Sequence, residues 1–318
     1  MAREFTTRGA DARAAAPATR QRPAEDARTG VIQSRENKWV KAFRAALRGT
    51  GPDRDEPIGV EGPKLVEEAL RAGLKTEALL VSETGERELE SILRAAGQTE
   101  TGISRSRVLR TTDKLFAGIA ATETPQGVAA LFLQPNWTFD DLLRGRPQPD
   151  GALRPDATLV VALVGVQDPG NVGTILRSAE AFGATGAIAA RGTADPWSPK
   201  AVRASAGSAL RLPLLRGIAA PVAMAQLRIA EVSILAASKA EGKAENKGSA
   251  ARVADLRGPC AIFIGSEGHG LPRDIENSAD ATIRIPMSDA VESLNAAVAA
   301  SVVLYEAARQ RSESKDRA

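Results

Sequence analysis

Three stretches of the chain place asparagine, arginine, glutamate or serine directly after an apolar, strand-like run. In the first, the run ending at Val164 is followed by Gly165-Val-Gln-Asp-Pro-Gly170-Asn171-Val-Gly173-Thr-Ile-Leu-Arg177. A strand, a glycine-rich turn and a helix in this order are typical of a ligand-binding site. Asn171 suits the N-cap position of that helix. At about 100° per residue, Arg177 lies roughly 160° from the centre of the apolar stripe and is predicted to face a cleft.

Two later stretches repeat this kind of pattern. The second is Ile262-Phe-Ile264-Gly265-Ser-Glu267-Gly268-His-Gly270, whose closely spaced glycines indicate that the backbone approaches another group closely. The third is Ile285-Pro286-Met287, followed by Ser293-Leu294-Asn295 at the start of a long predicted helix. Polar side chains at a helix start either cap the helix or bind a ligand. The helical spacing predicts a packed face of Leu294, Ala297, Val298, Ser301, Val302 and Tyr305.

The first stretch alone also fits two other interpretations. Its glycines could merely permit a tight strand-to-helix turn, with Arg177 a solvated helix charge. The other interpretation is a nicotinamide-binding turn, because Asp195 follows Gly173 at about the interval at which such folds place the acidic residue that binds the ribose. The glycine spacing G-x4-G-x2-G does not match G-x-G-x-x-G, however, and no G-K-[ST] follows to make a phosphate-binding P-loop.

The composition excludes several classes of chemistry. Cys260 and His269 are the single cysteine and the single histidine among 318 residues, which excludes a disulfide framework, a Cys/His zinc site and most nucleophile schemes that use histidine. The net charge is +3 and the isoelectric point is near 9.2, so basic faces can attract a polyanion. An aromatic content of 3% argues against stacking platforms of aromatic rings. No apolar run approaches the roughly 20 residues that span a bilayer, and a cytoplasmic location is expected.

The pattern along the chain predicts two folded domains and two tails. Residues 1–30 are expected to be a disordered tail, residues 31–143 a compact α/β domain, and residues 144–157 a linker rich in proline and glycine. Residues 158–312 are expected to form a doubly covered parallel sheet, and residues 313–318 a short tail. Predicted strands of that sheet include 158–164, 187–190, 232–236, 261–264 and 282–285.

Together the three motifs resemble those of the SpoU (TrmH) family of RNA 2'-O-ribose methyltransferases, in the same order. The matching patterns are NxGxxxR at Asn171, GxExxG at Gly265, and IPM followed by SLN from Ile285. The N-terminal half, including GVEGPKLVEEAL, resembles the ribosomal-protein-like substrate-binding domain of many members. The resemblance implies an α/β fold of the SPOUT superfamily with a deep trefoil knot, a smaller N-terminal RNA-binding domain and a homodimer. No metal is expected.

The resemblance also implies a cofactor, a substrate and roles for individual residues. S-adenosyl-L-methionine is expected to contact Gly265, Ile285, Leu294, Ala236, Ala237, Glu267 and Met287. The implied catalytic residues are Arg177, which activates the ribose hydroxyl, and Asn171, Glu267, Ser293 and Asn295. Two arginines, Arg203 and Arg177, are expected to contact RNA. Ribosomal RNA is the preferred substrate. Transfer RNA, and a non-catalytic role in RNA binding or ribosome assembly, stay open. His269 is interpreted as a loop position at which the family accepts many residue types. Asp289 stands at a position where relatives often have glycine.

Overall fold

A computed structural model describes residues 30–49, 51–53, 55–97, 107–144, 158–238, 248–250, 254–288 and 293–315. Three predictions therefore concern segments outside the described residues: the tail before Gly30, most of the linker, and Asp289. The domain boundary remains a prediction. At the other end, the last helix extends to Lys315, three residues into the segment that was expected to be a tail.

The N-terminal part is built on a four-stranded sheet with helices on both faces. The strand order is β1-β4-β2-β3, with β2 and β3 parallel and the other neighbours antiparallel. Its elements are α1 (Lys38–Arg48), β1 (Ile58–Glu61), α2 (Pro63–Arg71), β2 (Thr76–Ser82), α3 (Glu86–Ala95), β3 (Arg107–Thr111), α4 (Asp113–Ala117) and β4 (Val128–Phe132).

Helix α1 is amphipathic, with apolar side chains at helical spacing on one side and lysine and arginine on the other. Asn37 is its N-cap, because the side-chain oxygen of Asn37 accepts a hydrogen bond of 2.9 Å from the backbone N–H of Trp39. The helix buries Val40, Phe43 and Leu47 against one face of the sheet. Burial of these side chains fixes α1 to the N-terminal sheet.

The C-terminal part is built on a sheet of seven described strands, all paired in parallel, in the order β7-β6-β5-β10-β8-β11-β9. The predicted α/β class is confirmed. Its elements are α5 (Phe139–Arg144), β5 (Leu159–Leu163), α6 (Pro169–Ala181), β6 (Gly186–Ala190), α7 (Pro199–Ala204), α8 (Ser208–Arg211), β7 (Leu214–Ile218), α9 (Ala220–Ile229), β8 (Ser233–Ala237), β9 (Gly248–Ala250), β10 (Cys260–Ile264), α10 (Arg273–Ser278), β11 (Ala281–Arg284) and α11 (Ala296–Lys315).

The strand order changes direction between β5 and β10. The chain runs outward from β5 through β6 to β7, and it later inserts β10 between β5 and β8. In parallel sheets, ligands bind beyond the carboxyl ends of the strands at such a change of direction. The loops after β5 and β10 meet there. The trefoil knot itself stays a prediction.

Buried side chains connect the two sheets into one core. A single cluster includes Val66 of α2, Val161 of β5 and Ala209 of α8. Arg211, at the end of α8, reinforces this junction because its guanidinium donates to Glu68 of α2 over 2.7 Å and to both carboxylate oxygens of Glu180 over 2.8 and 2.7 Å. The ion pairs tie the N-terminal helix α2 to α6, the helix that carries Asn171 and Arg177.

Candidate functional site

The loop after β10 supplies Glu267 and is closed by its glycines. Ser266 and Gly270 exchange backbone hydrogen bonds of 3.1 and 3.0 Å across the loop. A Cβ at Gly265 would lie 2.1 Å from the carbonyl carbon of Gly270, so any side chain there would displace the loop. Gly270 has a positive φ of 68°, the left-handed region that favours glycine. His269 is exposed on this loop, and its backbone N–H donates to Ser266 Oγ over 3.3 Å.

The start of helix α6 differs from the prediction in its capping residue. Asn171 was predicted as the N-cap, which is wrong: Asp168 is the N-cap, and its carboxylate accepts from the backbone N–H of Gly170 over 2.6 Å. The sequence does carry the signal, because a proline follows Asp168 at the first helical position. Lys200 of α7 lies 2.9 Å from the same carboxylate, and its hydrogen bond is the main cause that lowers the pKa of Asp168.

Three of the predicted catalytic residues meet in one hydrogen-bonded chain. Asn171, on the first turn of α6, donates through its Nδ2 to Glu267 Oε1. Asn295 donates through its Nδ2 to Asn171 Oδ1 over 3.2 Å. The other end of the Asn295 side chain caps α11, because Oδ1 accepts from the backbone N–H groups of Ala297 and Val298 over 2.9 and 3.3 Å. The chain of contacts thus joins the loop after β10 to the first turns of α6 and α11.

A pocket lies beside these side chains, beyond the carboxyl ends of β8, β10 and β11. Most of its wall is apolar or backbone, and the described residues that line it are Ala237, Ser238, Ile264, Gly265, Ser266, Glu267, Gly270, Ile283, Ile285, Met287, Ser293, Leu294, Ala296, Ala299 and Val303. Of the residues expected to contact the cofactor, Ala236 is not in this wall, since it is fully buried within β8. Sequence reasoning missed the contributions of Ile283 and Val303, which lie inside a strand and a helix and carry no local signal.

The two predicted arginines are exposed and lie apart from this pocket wall. Arg177 faces away from the core, as its helical position predicts, and its guanidinium forms no ion pair with any described residue. It follows Asn171 by six positions, which is roughly 9 Å along the helix axis. Arg203 lies in the last turn of α7 and is likewise exposed. Both cations are therefore available to an anionic partner.

The packed face predicted for α11 is partly wrong. Ala297 is buried as predicted, but Val298, Val302 and Tyr305 are 49%, 39% and 56% exposed. The buried residues are instead Ala296, Ala297, Ala300, Val303, Leu304 and Ala307. Helix α11 thus has apolar side chains on two faces, and only one of them packs against its own domain. Tyr305 makes an edge-to-face contact with Phe182 at the end of α6, with ring centroids 5.8 Å apart.

Comparison with known proteins identifies the family. Residues 158–305 match the SpoU rRNA Methylase family, and residues 38–130 match the MRM3-like substrate binding domain. A tRNA/rRNA methyltransferase of Mycolicibacterium vanbaalenii, itself uncharacterised, is 34% identical over 307 residues, covering 96% of this chain and 90% of that protein. The chain belongs to the SpoU rRNA Methylase family. The predicted family and the predicted N-terminal substrate-binding domain are confirmed.

Two solved structures carry the comparison further. The AdoMet-bound rRNA methyltransferase of Sinorhizobium meliloti superposes with a TM-score of 0.69 at 31% identity, covering 88% of this chain and 97% of that one. A protein described as an RNA 2'-O ribose methyltransferase superposes with a TM-score of 0.66 at 29% identity, covering 89% and 99%. The predicted class, an RNA methyltransferase with S-adenosylmethionine as cofactor, is confirmed at the level of the family. Within the described residues, no helix is both long and apolar enough to cross a membrane.

Proposed function

We propose that this protein transfers the methyl group of S-adenosylmethionine to a ribose 2'-hydroxyl of RNA, and that the RNA is ribosomal. The observation that supports the reaction best is the chain of contacts from Glu267 through Asn171 to Asn295 at the rim of the pocket. These side chains offer donors and acceptors suited to a sugar hydroxyl. The preference for ribosomal RNA rests on the relatives, one described as an rRNA methyltransferase and another as a tRNA/rRNA methyltransferase.

The pocket fits S-adenosylmethionine by the chemistry of its wall. Ile285, Met287 and Leu294 supply apolar surface for an adenine ring, and the loop at Gly265 supplies backbone polar groups beyond the end of β10. When bound, the cofactor supplies an electrophilic methyl group on a sulfonium. The pocket wall would hold the cofactor beside Glu267 and Ser293, which line the same pocket.

The residues at the rim bind and orient the acceptor ribose. Asn171 and Asn295 are held by their mutual hydrogen bond, so their remaining hydrogen-bonding capacity points in a fixed direction. Alignment of a hydroxyl with a methyl group lowers the barrier by several kcal/mol. Methyl transfer forms an O–C bond and breaks the S–C bond, and the hydroxyl proton passes to solvent water at the rim, where Ser293 and Asn295 are exposed. A guanidinium stays protonated in proteins and is a poor base. Arg177 therefore stabilises the developing negative charge on the oxygen.

The exposed stripe of α11 supports the homodimer that the family resemblance implies. Val298, Val302 and Tyr305 form a partly exposed apolar stripe, of which only the Tyr305 ring contacts Phe182, and exposed apolar surfaces mark contact sites. Arg177 borders this surface, because its neighbour Ser178 hydrogen-bonds to Ser301 of α11 over 2.7 Å. Pairing of two copies through this stripe would bury Tyr305 and bring Arg177 close to the second copy.

The test measures transfer of labelled methyl groups from S-adenosylmethionine to total RNA from cells that lack the gene. Digestion to nucleosides should yield a 2'-O-methylnucleoside in ribosomal RNA. Arg177→Ala should reduce the transfer at least about 100-fold, the size of a typical electrostatic contribution to the transition state. The affinity for S-adenosylmethionine should stay within twofold, because Arg177 is not part of the pocket wall.

The matched control is Arg228→Ala, which removes an exposed arginine at the amino-terminal edge of the same sheet, where Arg228 pairs with Asp280. This variant should retain full activity. A methyl group found on a base rather than a ribose would contradict the proposed reaction. Cofactor binding without any transfer to ribosomal RNA, transfer RNA or assembly intermediates would favour the non-catalytic role instead.

A further inference from the structure

A second cleft lies alongside β7, the outermost strand of the seven-stranded sheet, and beyond the end of β6. Its volume is about 850 Å³, within the range of small-molecule sites. One wall comes from residues 189–197 and 214–217 of the C-terminal part, and the other from residues 51–53 and 134–137, which flank the N-terminal sheet. Neighbouring strands are about 4.8 Å apart, so the cleft is roughly 10 to 20 Å from the cofactor pocket. That distance corresponds to a few nucleotides of one strand.

Arg216 of β7 forms a fixed, planar surface in this cleft. Its Cζ lies 4.8 Å from the centroid of the Trp197 ring, and Trp197 is only 3% exposed. The edge of the guanidinium is also engaged, since Nη1 pairs with Asp195 and Nη2 donates to Gln134 Oε1 over 2.7 Å. With one face against Trp197 and its edge hydrogen-bonded, the guanidinium has its other face left to line the cleft.

The charges around Arg216 favour a neutral ligand over an anion at this position. Asp195 balances the charge of Arg216, and Asp53 adds a second carboxylate to the wall. Burial raises the pKa of Asp195, against the opposing effects of the Trp197 backbone N–H and of Arg216. Arg191 is exposed and also lines the cleft, where it can meet a phosphate.

A hydrogen-bond donor of the cleft also lacks a partner. Trp137 is one of the lining residues, and its indole N–H is buried without a hydrogen-bond acceptor among the described residues. A buried donor without an acceptor is uncommon and costs about 1 to 3 kcal/mol. An acceptor atom of a ligand in the cleft reaches this N–H only after a shift of the Trp137 ring, because the nitrogen itself is buried. Nucleobases combine such acceptors with a neutral, planar ring.

We propose that this cleft holds one unpaired base of the substrate RNA, stacked on the guanidinium of Arg216, a few nucleotides from the methylated ribose. The proposal rests on the proposed function, because it takes the bound RNA to be the methylated one. Proteins commonly hold splayed RNA bases on arginine planes. Both the substrate-binding part and the catalytic part line the cleft, so the bound base would set the register of the strand between them.

The first experiment measures binding of unmodified single-stranded hexaribonucleotides, rA6 and rU6, by quenching of tryptophan fluorescence. The chain has three tryptophans, and Trp39→Phe leaves only the two that line the cleft. Arg216→Lys keeps a positive charge beside Asp195 but removes the planar surface. We expect it to raise the Kd about 5- to 100-fold, the range that stacking of one base contributes. Arg228→Lys, at the opposite edge of the sheet, should leave the Kd unchanged.

A second measurement uses the unaltered protein, so it does not depend on a variant that folds. A hexaribonucleotide containing 4-thiouridine is cross-linked, and the attached peptides are mapped. Attachment within residues 134–137, 189–197 or 214–217 supports the proposal. Attachment only elsewhere overturns it, as does an Arg216→Lys variant that keeps its folded thermal transition and the wild-type Kd. Neither readout requires methyl transfer. A cleft that does not bind RNA can therefore be distinguished from a protein that does not catalyse the proposed reaction.

Discussion

The hydrogen bond from Asn171 to Glu267, which supports the proposed function, is tested by two substitutions that swap its donor and its acceptor, Asn171→Asp and Glu267→Gln. Asn171→Asp preserves the side-chain shape but replaces the donor that contacts Glu267 by a carboxylate oxygen. Two carboxylates then face each other at a hydrogen-bond distance of about 3 Å. The hydrogen bond from Asn295 to position 171 is retained, because a carboxylate oxygen also accepts it. The change therefore affects one contact and leaves the cap of α11 intact.

The expected loss of stability follows from the charges and from the exposure of the pair. Two unit charges about 3 Å apart repel by about 1.4 kcal/mol in water and by about 5.5 kcal/mol at an effective dielectric constant near 20. A lost hydrogen bond adds about 0.5 to 1.5 kcal/mol. Both side chains are half-buried, so we expect a free-energy loss of about 2 kcal/mol and a Tm lower by about 4 to 8 °C at pH 8.

The loss should depend on pH. Repulsion raises the pKa of the carboxyl pair in the folded protein, so the folded state binds a proton more tightly than the unfolded state does. The destabilisation is thus complete above the raised pKa, and it shrinks as the pH falls toward about 4, the usual carboxyl pKa. The Tm difference from the wild type should narrow between pH 8 and pH 5.

Adding Glu267→Gln to Asn171→Asp should restore the contact with its polarity reversed. The new amide at position 267 donates to the new carboxylate at position 171, and Asn295 still donates to the latter. Thermal unfolding and calorimetric titration with S-adenosylmethionine measure both single variants and the double variant. We expect the double variant to be more stable than Asn171→Asp alone by at least about 1 kcal/mol. If the two single substitutions change the free energy of unfolding by amounts that add within about 0.5 kcal/mol in the double variant, the two side chains do not interact and the contact is refuted.

Three further predictions concern the pocket, the RNA contact and the dimer. Gly265→Ala should weaken S-adenosylmethionine binding at least about tenfold by calorimetry, since its Cβ would lie 2.1 Å from a backbone carbon of the same loop, whereas Gly268→Ala, with open space around its Cβ, should bind normally. Arg203→Ala should weaken RNA binding and make its salt dependence shallower by about one unit of slope; an unchanged slope would mean no phosphate contact. Val302→Glu should yield a folded monomer in sedimentation experiments, whereas Val222→Glu on α9, at a side chain that is somewhat more exposed, should not; a monomeric wild type would refute the dimer.

Local patterns in the sequence predict the strands and the site loops because those signals are short-range. The apolar runs before Gly165 and Gly265 become β5 and β10, and the polar residues after them meet at one edge, as parallel strands require. The order of the strands and the inserted position of β10 have no comparable local signal. They depend on contacts between residues about a hundred positions apart.

Two features could not be predicted from the sequence for definite physical reasons. Helix α11 is rich in alanine and valine on every side, so its spacing does not distinguish the buried face from the exposed one. The second cleft depends on Gln134, Asp195 and Arg216, which come together only when both parts of the chain are folded. Asp195 was considered as a ribose ligand of a nicotinamide cofactor, but its carboxylate is paired with Arg216.

The inserted position of β10 has a consequence for synthesis on the ribosome. β5, β6 and β7 emerge early and can pair with one another, but the other edge of β5 has no partner until residues 260–264 have been made. Until then, β5 and β8 are apolar strands whose backbone N–H and C=O groups on one side have no partner strand. Such edges can pair with other chains and so promote aggregation. A nascent chain released before Cys260 would therefore be prone to aggregate, and a pause in translation shortly before that point would extend the period of exposure.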